Sequence, residues 1–197
     1  MEEEQRKNYI KENWFKEHIA EFERLSEKAS VLNFHKPGTI EFSVTYIFYE
    51  NYLVIKGDIG EAMFCLTEKA ELSRVAQYDT YYLFSKRKLG DYMKFNSEKA
   101  ITEFAESMEE CKENCENDEL AELKELVEEF TNVIRNEISD SEQLAFHLNT
   151  EYYTRISKFD QECCDWIYSI GEEISDRALG WCVGLQMAYE QLKKERL

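Results

Sequence analysis

Apolar residues near the start of the chain recur every three to five positions. Between residues 2 and 28 they are Tyr9, Ile10, Trp14, Phe15, Ile19, Phe22 and Leu25. This spacing places them along one side of a helix. The pattern predicts one amphipathic helix over residues 2–28.

A strand-like pattern follows this predicted helix. Residues 31–34, 39–49, 52–56 and 62–66 are rich in Val, Ile, Thr, Phe and Tyr, and short turn-forming segments separate them. Val44, Tyr46 and Phe48 alternate with Thr45 and Ile47. We therefore predict three or four antiparallel strands, with one face on the first helix and the other covered by C-terminal helices.

Helical spacing returns and dominates the rest of the chain. Residues 68–88 look helical but interrupted, and Asn96 or Ser97 is suited to cap a helix that runs to about residue 115. A second helix is predicted from Asp118, a third from the cap at Asp140, and further elements over residues 160–170 and from about Ser175. The predicted fold class is α+β: an N-terminal helix on a small antiparallel sheet, followed by an acidic helical part.

Charge divides the chain into two parts. The 197 residues include 24 basic and 41 acidic side chains, which gives a formal net charge of −17. Residues 1–90 carry a net charge of −2, and residues 91–197 carry −15. We predict a helix-and-sheet subdomain over residues 1–90 and an acidic helical subdomain over residues 91–197, packed as one compact unit.

Composition also bears on the compartment. No uncharged run in the sequence approaches the roughly 20 apolar residues of a membrane span. The start, Met-Glu-Glu-Glu-Gln, lacks the features of a secretory signal. We expect a cytoplasmic protein whose six cysteines are reduced, with Cys111 and Cys115 packed on the apolar side of a helix.

The strongest signal for function is a concentration of carboxylates. Residues 98–129 hold 13 acidic side chains against three lysines, and on the two predicted helices the acidic residues recur every three or four positions. Such a face either keeps the protein in solution or imitates nucleic acid by presenting carboxylates in place of phosphates. For the second interpretation the candidate partner-binding residues are Glu103, Glu106, Glu109, Glu110, Glu113, Glu116, Asp118, Glu122, Glu125, Glu128 and Glu129.

Signals for catalysis are weak. The sequence has no phosphate-binding loop, dinucleotide fingerprint, nucleophile elbow or zinc-protease motif, and His18, His35 and His147 are far apart along the chain. The most motif-like stretch is Gly57-Asp58-Ile59-Gly60-Glu61-Ala62. Asp58 or Glu61 could act as a general acid or base only if His35 or Tyr82 lay beside it. A hairpin turn explains the same residues without any catalytic role. We expect no enzyme activity, no cofactor and no metal.

Several short segments resemble a family of small acidic proteins encoded by bacteriophages. The resemblance covers both ends of the chain, and it rests on Trp14-Phe15-x-x-His18-Ile19-x-x-Phe22-Glu23, Pro37-Gly38-Thr39, Tyr46-Ile47, Leu53-Val54-Ile55-x-Gly57-Asp58-x-Gly60-x-Ala62-x-Phe64 and Gly184-Leu185-x-Met187-Ala188-Tyr189-Glu190-x-Leu192. Such phage proteins are similar to the anti-defence class, of which anti-CRISPR proteins are members. The resemblance implies a host effector as the partner.

These observations lead to one expected function and two alternatives. The expected function is inhibition of a basic, nucleic-acid-binding host protein, a CRISPR-associated nuclease by the resemblance, without direct binding of nucleic acid or membrane. The first alternative is a sponge for an anionic nucleotide signal, held by Tyr81, Tyr82, Lys86, Arg87 and Lys88. The second is a structural protein that self-associates through an aromatic face of the sheet.

Overall fold

A computed structural model describes residues 3–112 and 115–195, except for the side chains of Asn117 and Asp118. The chain forms two compact units: residues 1–92 together with 174–197, and residues 93–173. This division differs from the predicted one at the C-terminal end, because residues 174–197 cluster with the first unit. The α+β class is confirmed, with more strands than predicted.

The first unit is built on a six-stranded antiparallel sheet whose strands follow the order of the chain. Strands β1 to β6 are Ile19–Arg24, Ala29–His35, Val44–Tyr49, Tyr52–Gly57, Ala62–Cys65 and Arg87–Leu89. Helices of this unit are α1 Glu3–Asn13, α2 Leu72–Val75, α3 Thr80–Ser85 and the C-terminal α8 Asp176–Lys194. Each strand pairs with the next in sequence. Short connections join β1 to β5, whereas residues 66–86, with α2 and α3, connect β5 to β6.

One face of the sheet forms the core of the first unit. Its fully buried side chains include Leu32, Phe34, Tyr46, Phe48, Leu53, Ile55 and Phe64. Helix α8 contacts β1, β2 and β3, and α1 packs against α8. The predicted alternation in β3 is confirmed, because Val44, Tyr46 and Phe48 are buried while Thr45 and Ile47 on the opposite face are half-buried.

Two hydrogen bonds and two glycines fix α8 beside its neighbours. The Tyr46 hydroxyl donates to the carbonyl of Trp181 at 2.8 Å, and the Trp181 indole donates to the carbonyl of Ile59 at 3.1 Å. A Cβ on Gly184 would lie 2.6 Å from the Tyr46 hydroxyl oxygen, and one on Gly180 would lie 3.0 Å from the Trp14 ring. A side chain at Gly184 would therefore collide with Tyr46, and one at Gly180 would have to displace the neighbouring side chains.

The prediction of a single helix over residues 2–28 is wrong. Helix α1 ends at Asn13, and Ile19–Arg24 forms the edge strand β1, which pairs with β2. The side chains of Ala20 and Phe22 lie on the same face as the buried Leu32 and Phe34 opposite them. Pairing with a neighbouring strand therefore outweighs the local helical spacing, which is a tertiary effect.

The predicted strand over residues 39–49 begins later, at Val44. Phe42 adopts a positive φ of 54°, and its ring stacks on Trp14 with centroids 4.8 Å apart. The Asp58 carboxylate accepts a hydrogen bond from the Phe42 amide at 2.8 Å. This turn precedes β3 and prevents the strand from starting at Thr39.

The second unit is helical apart from one pair of strands. Its helices are α4 Ser97–Cys111, α5 Asn117–Glu137, α6 Ser141–His147 and α7 Tyr153–Ile156, with a π-helical turn over Leu148–Tyr152 and 3-10 turns over Cys163–Asp165 and Ile167–Ser169. Strands β7 Met93–Phe95 and β8 Glu172–Ile174 pair where the chain enters and leaves this unit. The predicted caps at Asn96 and Asp140 are confirmed, since each side chain accepts a backbone hydrogen bond.

Aromatic contacts hold the core of the second unit together. Phe104 of α4 meets Phe130 of α5 edge to face at 4.9 Å, and Phe130 contacts Tyr152 at 4.5 Å. Cys111 and Cys115 pack against the same cluster, as predicted, and all six cysteines carry free thiols. No helix within the described residues is long and apolar enough to cross a membrane.

His18 is a buried polar residue in the first unit. It is 3% exposed, it lies between the rings of Phe15 and Phe34, and neither ring nitrogen makes a hydrogen bond within the described residues. Burial, reinforced by the nearby charges of His35 and Lys36, lowers the pKa of His18. The folded protein therefore favours the neutral imidazole.

Replacement of Gly184 tests the close approach of α8 to the sheet. Alanine is the better helix former, yet Gly184→Ala should lower the free energy of unfolding by about 1–3 kcal/mol because its Cβ collides with Tyr46. Gln186→Ala, at an exposed position of the same helix, should stay within about 0.5 kcal/mol. Chemical denaturation of both variants provides the comparison, and a more stable Gly184→Ala would contradict the packing described.

The buried His18 makes stability depend on pH. Its unfolded pKa is near 6.5 and its folded pKa is lower, so the unfolded state binds more protons as the pH falls below about 6.5. The contribution of His18 is complete above that pH and is lost in acid. His18→Phe should reduce the fall in unfolding free energy between neutral and mildly acidic pH, as measured by denaturant titration, and an unchanged pH profile would show that His18 does not carry the effect.

Candidate acidic binding site

The excess negative charge coincides with the second structural unit. Residues 93–173 contain 22 carboxylates and seven basic side chains, a net charge of −15, whereas the other unit carries only −2. Charge segregation therefore follows a structural boundary.

On α4 the candidate carboxylates have different surroundings. Glu103 accepts a hydrogen bond from the Gly171 amide at 2.8 Å and lies 3.4 Å from the Lys99 ammonium, and Glu109 pairs with Lys112. Glu106 and Glu110 are exposed and form no ion pair within the described residues. Because they are four positions apart, they occupy the same side of the helix.

On α5, too, some candidate carboxylates are paired and others are not. Glu122 pairs with Lys158 at 3.0 Å, and Glu129 accepts hydrogen bonds from Arg155 at 2.7 Å and from the Tyr152 hydroxyl at 3.0 Å. Candidates Glu125 and Glu128 are exposed and unpaired within the described part of the chain, and Glu116 belongs to the capping box that starts the helix.

Two of the eleven candidate carboxylates lie outside the described part of the structure. Glu113 lies outside the described residues, and so does the side chain of Asp118. Of the nine others, Glu106, Glu110, Glu125 and Glu128 are the exposed carboxylates without a partner within the described residues. These four carboxylates have no intramolecular ion pair among the described residues that would have to break before another molecule binds.

An acidic pocket lies between α5 and the segment that begins with α6. It has a volume of about 430 Å³. Its lining includes the carboxylates of Glu129, Glu137 and Glu151 together with the Asn132 and Asn136 amides, His147 and Tyr152. The only basic side chain of the lining is His147, whose Nε2 lies 3.9 Å from the Glu137 carboxylate. The pocket can therefore accept a guanidinium or ammonium group.

Sequence reasoning missed Glu137 and Glu151 as members of this site. They fall beyond the dense acidic run and are separated from each other by the α5–α6 turn and by α6 itself. Only the packing of α5 against the later helices brings them together with Glu129. Glu125, one turn before Glu129 on α5, extends the same side of the helix.

Glu128 belongs to a different environment. It lines a recess of about 350 Å³ together with Lys112, Lys124 and Arg135. These three cations offset its charge locally. The acidic surface is consequently divided along α5, with the acidic pocket and Glu125 on one side and a mixed recess on the other.

Glu129 remains charged near neutral pH. The Arg155 guanidinium that donates to its carboxylate lowers the pKa of Glu129, in spite of partial desolvation. Burial and the hydrogen bond to this carboxylate raise the pKa of Tyr152 to about 12. The pocket therefore holds an ionised carboxylate beside a protonated phenol.

The basic and aromatic residues of the nucleotide-sponge alternative lie in α3 and in β6, which is the edge strand opposite β1 in the six-stranded sheet. Lys86 lies 5.0 Å from the centre of the Tyr82 ring, and Arg87 lies 4.5 Å from that of Tyr92. The Tyr81 hydroxyl donates to Glu3 at 3.1 Å. One face of the Tyr82 ring and one face of the Tyr92 ring are thus covered by cations of the protein itself.

The Gly-Asp-x-Gly-x-Ala stretch forms the connection between β4 and β5. Asp58 is engaged with the Phe42 amide, the Asp58 amide donates to the carbonyl of Ser43 at 2.9 Å, and Gly57 approaches that same carbonyl closely. His35 lies 3.4 Å from Glu21 on the neighbouring strand. The structure accounts for this stretch as a turn that is fixed against β3.

Two identical substitutions should change stability in opposite directions. Glu106→Gln should raise the free energy of unfolding by a few tenths of a kcal/mol at low salt, because it removes repulsion from Glu110. Glu129→Gln should lower it by about 1 kcal/mol, because it weakens the bonds to Arg155 and Tyr152. Denaturant titrations at low and high salt check both, and equal effects would contradict the division of the carboxylates.

The described residues hold no cluster of three or more His, Cys, Asp or Glu side chains arranged to bind a metal ion. The arrangement is instead suited to contact with a cationic side chain or surface. Comparison of the chain with protein-family models, curated proteins and solved structures finds no match. Its function is therefore inferred from its own geometry.

Proposed function

We propose that the second unit binds the basic, nucleic-acid-binding surface of a protein partner and competes there with nucleic acid. The observation that carries this proposal is the acidic pocket of Glu129, Glu137 and Glu151, with exposed Glu125 beside it on α5. No catalytic step is part of the proposed activity, since it requires binding alone.

The pocket offers a site for one basic side chain of the partner. An arginine inserted there would meet the carboxylates of Glu137 and Glu151 and two amide oxygens, beside Glu129, which Arg155 already engages. Charge-assisted hydrogen bonds of this kind are stronger than neutral ones. Arginine is also among the residues that most often dominate the binding energy of protein interfaces. The pocket would thus anchor the complex.

Exposed carboxylates outside the pocket supply the long-range attraction. Glu106, Glu110 and Glu125 have no ion-pair partner within the described residues, so little intramolecular pairing opposes their binding to cations. A groove that binds phosphates attracts such a surface for the same electrostatic reason. Association should therefore be fast at low salt and should weaken steeply as salt rises.

The class of partner follows from this chemistry and from the resemblance to phage proteins. Charge complementarity requires a basic groove of the kind that nucleic-acid-binding proteins use for phosphates. The resemblance narrows that class to a host effector, and a CRISPR-associated nuclease is the partner we propose. Occupation of its groove would exclude the nucleic acid on which it acts.

Capture of partners from a bacterial lysate tests this function. Tagged protein, loaded at low salt and eluted with a salt gradient, should release basic nucleic-acid-binding proteins that mass spectrometry identifies. Addition of the protein should displace DNA or RNA from each captured partner in a gel-shift assay. Salt-independent capture, or capture without displacement of nucleic acid, would show that charge imitation is not the mechanism.

Matched variants localise the contact. Glu125→Gln/Glu137→Gln/Glu151→Gln removes three exposed charges at the acidic pocket and spares Glu129. Glu12→Gln/Glu23→Gln/Glu41→Gln removes three exposed charges from the first unit. The first triple variant should lose at least about tenfold in affinity, equivalent to about 1.4 kcal/mol, and the second should bind like wild type. Equal losses of affinity in the two triple variants would show that overall net charge, and not the acidic pocket, determines binding.

A further inference from the structure

A groove opens in the first unit at one end of the six-stranded sheet. Its volume is about 720 Å³, within the roughly 300–1,000 Å³ typical of small-molecule sites. The β1–β2 hairpin and residues 69–73 form its sides, and the C-terminal turn of α8 contributes Tyr189, Leu192 and Lys193. All of these residues belong to one unit.

Apolar side chains line the groove without being fully covered by the protein. Phe22, Leu72, Tyr189 and Leu192 are each half-buried there, in contrast to the fully buried Leu32 and Phe34 further along the same face of the sheet. The apolar interior of this unit therefore continues into the groove. Contact with an apolar ligand would remove the remaining surface from water.

The charged residues of the groove do not balance one another. Of its four cations, Lys69 pairs with Glu71 at 3.4 Å, and Lys28 pairs with Glu50 of the adjoining surface at 2.7 Å. Arg24 and Lys193 form no ion pair within the described residues. The remaining acid of the lining, Glu27, is also unpaired within them. Two cations and one anion that have no ion-pair partner among the described residues thus border an apolar surface in a protein whose net charge is −17.

We propose that this groove binds a small amphipathic carboxylate, with an alkyl chain on the surface of Phe22, Leu72 and Leu192 and the carboxylate at Arg24 and Lys193. The planar guanidinium of Arg24 can donate two parallel hydrogen bonds to a carboxylate. The aliphatic side chains match an alkyl chain, which gains by leaving water. This site does not depend on the proposed function of the second unit.

Calorimetric titration with three ligands of equal chain length tests the chemistry of the site. Decanoate, decanol and decyltrimethylammonium share their alkyl chain and differ in the charge of the head group. Decanoate should bind saturably and more tightly than the other two. Equal binding of decanoate and decyltrimethylammonium, or no saturable binding of decanoate, would overturn the proposal.

Two double variants locate the binding. Arg24→Gln/Lys193→Gln should weaken decanoate binding about tenfold, since it removes both cations that would form charge-assisted hydrogen bonds with the carboxylate. Lys56→Gln/Lys88→Gln removes two exposed cations of the same unit that do not line the groove, and it should leave the affinity unchanged. Equal weakening in both variants would assign the effect to net charge and overturn the site. All four positions are exposed, so both variants should fold, and thermal melts check this.

Discussion

The close approach of α8 to the sheet and to the turn after α1 is the constraint on which the first unit depends. Gly180 and Gly184 leave space that the ring of Trp14 and the hydroxyl of Tyr46 occupy. Because Trp181 on the same helix also bonds to the carbonyl of Ile59, three separate parts of the chain are fixed to one buried helix. The unit is closed by a segment from the far end of the sequence.

This closure explains the arrangement of charge. The buried stretch 178–185 of α8 carries no charged residue, and α8 completes a unit that is nearly neutral overall. The second unit is inserted between β6 and α8 and carries almost the whole excess of carboxylates. The repulsion between carboxylates is therefore confined to one of the two units, which limits the cost of so much negative charge to that unit.

The candidate site shows the limits of reasoning from spacing. Helical periodicity correctly indicated exposed carboxylates such as Glu106 and Glu125, because position on a helix is a local property. It did not distinguish Glu129, which is engaged with Arg155 and Tyr152, from Glu128, which lies among Lys112, Lys124 and Arg135. The groove at Arg24 and Lys193 had no signal in the sequence, since these two residues are far apart along the chain.

Local patterns in the sequence are enough to establish the α+β class, the strand alternation around Tyr46, the helix caps at Asn96 and Asp140, and the acidic character of the later helices. Each of these depends on residues within a few positions of one another. The folded arrangement alone establishes that Ile19–Arg24 is a strand and that α8 completes the first unit. It also decided that Glu137 and Glu151 share a pocket with Glu129. Those outcomes depend on contacts between segments that are distant along the chain. The free energy gained from these contacts exceeds the local secondary-structure preference of each segment.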